Sequence, residues 1–146
     1  MDWDKRMEAL LEEPYFVMDF LPEQVPPGAQ GEFFRVEQYF LGGKELEAMA
    51  DSFARVLLKL WCYFPMDVYQ GTRRVSPDCK TLCALVKKTV TKRGNLSILL
   101  PGEDTLITAG AGTLNLTVYH PSADAGRILA ALAAAEGLFW RAGPAG

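Results

Sequence analysis

Histidine occurs once in these 146 residues, at position 120, and cysteine three times, at 62, 79 and 83. Three cysteines cannot all pair within one chain, so no disulfide is expected and a reducing compartment would keep them as thiols. Long hydrophobic runs are also missing. The longest, ILAALAAA at 128–135, falls far short of the ~20 residues that span a bilayer. The first residues, MDWDKRMEALLEE, carry acids where a secretory leader has basic residues and then an apolar run. The expectation is a cytoplasmic protein with no membrane partner. No GxSxG, HExxH or Walker sequence occurs, which removes the common local signatures of hydrolases, zinc peptidases and nucleotide-binding loops.

What is present fits one globular domain. The chain is 49% apolar and 23% charged, near the average for folded proteins, and its length suffices for a core without metal or disulfide. The division expected is a single α+β domain over 1–141 and a flexible tail, AGPAG, over 142–146.

Apolar periodicity gives the elements. Residues 2–13 read as a short helix stopped by Pro14, and YFVMDFL at 15–21 as a strand. PEQVPPGAQG then breaks regular structure. In EFFRVEQYFL at 32–41, Phe33, Val36 and Phe40 fit a helical face, but the density of aromatics favours a strand with an irregular start. From Lys44 to Trp61, Leu46, Met49, Ala50, Phe53, Leu57, Leu60 and Trp61 recur on one side of a helix. CYFPMDVY reads as a strand whose Pro65 favours a sheet edge or bulge. A helix follows over 77–92, with Ser76 as N-cap and Pro77 in first position. NLSILL, DTLITA and TLNLTVY form an antiparallel meander, with Leu114, Leu116 and Val118 on the buried side of its last strand. A helix capped by Ser122 and ended by Gly137 precedes the strand LFWR, and these last elements would make a split βαβ unit. The fold class expected is α+β: a mostly antiparallel sheet with about three helices, at 44–61, 77–92 and 123–136, packed mainly on one face.

Candidate chemistry is sparse. Cys79 and Cys83 share a helical face with Leu82, Val86 and Val90, so they are expected to pack inside as small hydrophobes. A Cys₃His zinc site from Cys62, Cys79, Cys83 and His120 has suitable ligand types, but its one close pair lies on an amphipathic helix rather than a knuckle. No metal and no cofactor is expected. His120, between a strand and a helix, has Ser122 and Asp124 nearby, which read more simply as capping residues. The glycines of TAGAGT open onto a strand, which suits a turn better than a phosphate cradle. Asp19 and Glu37 are acids set among aromatics, where burial would raise a carboxyl pKa. A ligand-binding or hydrolytic pocket around His120, Asp19 and Glu37 is therefore one reading.

Two distributions favour another. Seven of the 16 aromatics (Tyr15, Phe16, Phe20, Phe33, Phe34, Tyr39 and Phe40) lie within residues 15–40. On a regular strand Phe33, Phe34, Tyr39 and Phe40 cannot all point one way, so part of the set is expected to form an exposed surface for a partner or a second copy. Charge is also lopsided. Residues 73–93 hold seven Lys or Arg against Asp78 alone, +6, whereas residues 1–72 hold six bases against 13 acids, −7. Lys80, Lys87, Lys88 and Lys92 would then contact an acidic protein surface. A nucleic-acid contact through the basic helix at 77–93 is the third reading, weakened because no aromatic there can stack on bases. The sequence points to a non-enzymatic protein-binding module whose partner is another protein or itself.

Overall fold

A computed structural model describes residues 3–110 and 114–143. Its centre is a helix, α3 (Gly43–Trp61), whose Leu46, Met49, Ala50, Phe53, Ala54, Val56, Leu57 and Leu60 are buried. Seven strands form one sheet beneath it: β1 (Tyr15–Asp19), β2 (Asp67–Gln70), β3 (Arg73–Val75), β4 (Asn95–Leu100), β5 (Thr105–Gly110), β6 (Asn115–Tyr119) and β7 (Phe139–Ala142). Their order is β3-β2-β4-β5-β6-β1-β7, and every neighbouring pair is antiparallel. β4, β5 and β6 form the expected meander.

The pleat sends alternate residues to opposite faces. Met18, Val68, Leu96, Ile98, Leu100, Ile107, Ala109, Leu114, Leu116 and Val118 meet α3, α4 (Cys79–Thr91) and α5 (Ala123–Ala135) in the main core. These are the three helices expected on one face; the described residues contain five, of which α1 (Trp3–Leu10) answers to the short helix read at 2–13. α1 lies on the opposite face, where Leu10 closes a small second cluster with Leu99 and Leu106. α2 (Phe33–Leu41) packs against α3.

Four local expectations need correction. Residues 32–41 are a helix, not a strand, because helical spacing brings Phe40 and Leu41 together onto the main core while the backbone is satisfied within the segment. The strand assigned to CYFPMDVY starts only at Asp67, so Pro65 lies outside the sheet; β3 forms a hairpin with β2 and takes the edge instead. The cap of α4 is Asp78, whose carboxylate accepts the Thr81 N–H at 2.8 Å. A carboxylate also suits the positive end of the helix better than the Ser76 hydroxyl.

The fourth concerns the cysteines. Cys79 is exposed and Cys83 only half-buried. Cys79 is the first residue of α4, whereas Cys83, at the flank of the stripe formed by Leu82, Val86, Thr89 and Val90, does pack against the main core as expected.

At the other end of the chain, Ser122 caps α5 by accepting the Ala125 N–H, and Gly137 ends it with φ +73°, where Leu138 N–H reaches Ala133 O at 2.8 Å. β6 and β7 are both antiparallel to β1, which lies between them, so β6-α5-β7 is a split βαβ unit. Ala142 belongs to β7 and Gly143 N–H still donates to Tyr15 O; residues 144–146 of the expected tail, and 111–113 of TAGAGT, lie outside the described residues.

Candidate functional site

α2 buries none of its residues fully. Helical spacing gives it an inner side, Phe33, Glu37, Phe40 and Leu41, all half-buried, and an outer side bearing Phe34, Arg35, Val36, Gln38 and Tyr39. Phe40 and Leu41 reach the main core, with the Phe40 ring 5.2 Å from that of Phe20. Phe34 stays 77% exposed and Tyr39 66%. Of the four rings expected to divide between core and surface, Phe40 goes inward, Phe33 lies between, and Phe34 and Tyr39 face solvent.

The loop PEQVPPGAQG, legible in sequence only as a breaker, forms a wall opposite the start of α2. Val25, Pro26, Pro27 and Gly28 face Phe33 and Phe34 across a cavity of about 460 Å³. A second cleft, about 210 Å³, adjoins it through Gln24, Val25 and Phe33, and runs to Asp19, Glu23, Glu37 and Arg141. One groove therefore has an apolar end and an ionisable end.

Arg141, which no sequence signal tied to Asp19, holds the floor of that ionisable end. β1 and β7 are neighbours, so the guanidinium Nη2 donates to Asp19 Oδ2 at 2.6 Å, while Oδ1 accepts the Phe20 N–H at 2.8 Å. Asp19 is 7% exposed, and both its oxygens are engaged. Among the described residues, Glu23 and Glu37 form no hydrogen bond or ion pair.

His120 lies elsewhere. Asp19 pairs with Asn115 at the start of β6 and His120 follows its end, which separates them by five residues of extended chain, roughly 16 Å. The sequence-level grouping of His120 with Asp19 and Glu37 therefore does not form. His120 Nδ1 is 2.9 Å from Asp104 O, and a ring nitrogen facing a carbonyl must carry the proton. Both residues have φ +55°. Thr105 Oγ1 donates to His120 O and accepts the Ser122 N–H, and Ser122 Oγ donates to Glu103 at 2.8 Å. Arg6 pairs with Asp104 and ties α1 to this turn. The Ser122 hydroxyl is thus committed to a cap and a brace rather than aimed at the imidazole.

The basic stripe is partly answered within the chain. Lys87 pairs with Asp51 at 2.9 Å, and its own pKa is raised by that bond. Lys88 and Lys92 border the same shallow cleft as Glu47 and Asp51, and Lys80 is exposed further along α4. Carboxylates among the lysines suit a solvated seam between α3 and α4 better than a phosphate track. Among the described residues no group of three or more His, Cys, Asp or Glu is placed to hold a metal ion, and no helix is long and apolar enough to cross a membrane. Compared with family models, curated proteins and solved structures, the chain matches none.

Proposed function

We propose that this protein is a non-enzymatic, cytoplasmic binding module that engages another protein, or a second copy of itself, through the outer face of α2. One observation carries the reading: an amphipathic helix sits on the domain with Phe34, Val36 and Tyr39 turned to solvent. Apolar area left in water is unfavourable by roughly 25 cal/mol per Å², and aromatic side chains dominate the centres of protein interfaces. The adjoining groove enlarges the contact from a convex helix to a helix beside a cleft. A catalytic reading finds less support, because Asp19 is neutralised by Arg141 and His120 is remote from both. A nucleic-acid reading is weakened by Asp51 and Glu47 among the lysines.

The test compares wild type with the Phe34→Asp, Tyr39→Asp double variant, using light scattering over a concentration series and affinity capture from the native host. The expected outcome is a self-assembly or a stoichiometric partner that the variant loses while keeping its circular dichroism spectrum. A monomeric wild type that captures nothing, or a variant that captures the same protein, overturns the reading.

A further inference from the structure

Resting on that reading, we infer that the groove beside α2 recognises a basic side chain of the partner, a lysine or arginine next to a large apolar residue. The apolar residue enters between Pro26 and Phe34, and the cation reaches Glu37.

The shape comes first. The two clefts share Gln24, Val25 and Phe33, so a segment two residues long can occupy both. At about 460 Å³ the apolar end falls within the roughly 300–1,000 Å³ typical of ligand pockets.

Charge then selects the occupant. Asp19 is compensated by Arg141 and by the Phe20 N–H, which leaves Glu23 and Glu37 as uncompensated charge in this cleft. Glu37 lies half-buried on the inner side of α2 without a hydrogen bond or ion pair among the described residues. Covering it with an apolar partner would bury a carboxylate with no counter-charge, which is strongly unfavourable. An anionic partner would meet two carboxylates. An ammonium or guanidinium removes the problem, and Phe20 and Phe33 line the same cleft.

A second copy fits less well. Among the described residues, the cation adjoining a large exposed apolar residue in sequence is Arg35, between Phe34 and Val36; it is paired with Glu32 at 3.2 Å, and Phe34 already lines the groove itself. The occupant is therefore a different protein.

The probe is N-acetyl-Phe-Arg-amide titrated into the ¹⁵N-labelled full chain, with N-acetyl-Phe-citrulline-amide as the neutral isostere. The arginine peptide should shift the amide signals of Val25, Phe33 and Glu37 and bind at least about tenfold tighter than the citrulline peptide, a preference that Glu37→Gln removes. Equal affinity for the two peptides, or an arginine preference that survives Glu37→Gln, overturns the cation assignment. If neither peptide shifts these signals while the Phe34→Asp, Tyr39→Asp variant still loses its partner, the groove assignment fails and the reading of the α2 face stands.

Discussion

Arg141 and Asp19 offer the sharpest test of how the sheet and the groove are joined. Arg141→Met removes the cation that answers a carboxylate whose side chain is 10% exposed. Losing one partner of a fully buried pair costs about 3–5 kcal/mol, because the remaining charge is desolvated and unpaired. The Arg141 side chain is 20% exposed, so water reaches this site and the expected loss is lower, about 2–3 kcal/mol. Asp19→Asn keeps an oxygen for the Phe20 N–H but leaves the guanidinium without its counter-ion, for a loss of about 2 kcal/mol. The double variant leaves no uncompensated charge and should lie within about 1–2 kcal/mol of wild type, giving a coupling of about 3 kcal/mol. Urea unfolding at pH 7 measures all four proteins, and an unchanged dependence on denaturant confirms that each loses stability rather than compactness. Additivity within about 0.5 kcal/mol would refute the argument, since it would mean the two groups do not act as a pair.

Three further outcomes follow from the packing. Phe53 is wholly buried between α3 and the sheet, so Phe53→Ala should cost about 3–5 kcal/mol in chemical denaturation, and a loss below ~1 kcal/mol would place it outside the core. Arg55 donates to Glu136 from Nε at 2.9 Å and Nη2 at 2.7 Å, which holds the Glu136 carboxyl below its ordinary range. Because the folded pKa is depressed, its contribution is complete above the unfolded value of about 4.3 and is lost as pH falls through the lower folded one. Glu136→Gln should then cost about 0.5–1 kcal/mol at pH 7, with Arg55 half-exposed, and the gap should close in strong acid; a gap that widens on acidification refutes the assignment. Native protein treated with a chromogenic disulfide should label Cys62 and Cys79 rapidly and Cys83 more slowly; protection of Cys79 until unfolding would restore it to the interior.

Periodicity reads well where one face of an element meets a large apolar surface. The stripe of α3 and the alternation of Leu114, Leu116 and Val118 were legible because burial on one side constrains residue type at every turn or pleat. The same reasoning misplaced Cys79 because a helical wheel records angle and not position along the axis, and Cys79 is exposed at the first residue of α4. Asp19 with Arg141 was invisible for a different reason. Their partnership depends on β7 returning beside β1 across 122 residues, and strand order is a property of the assembled sheet rather than of either segment.

The misreading of residues 32–41 has a more specific cause, and it bears on function. FFRVEQYFL carries aromatics on both of its sides, so neither period wins clearly by pattern alone. A helix satisfies its own backbone, as Val36 N–H does at Glu32 O over 2.9 Å, and its spacing brings Phe40 and Leu41 together onto the main core. A helix at that position can turn only Phe33, Glu37, Phe40 and Leu41 inward. Phe34 and Tyr39 stay largely outside the core, which agrees with the interface proposed above. On the binding reading proposed above, the ambiguity in the pattern is the trace of two demands on nine residues, one from the domain and one from the partner.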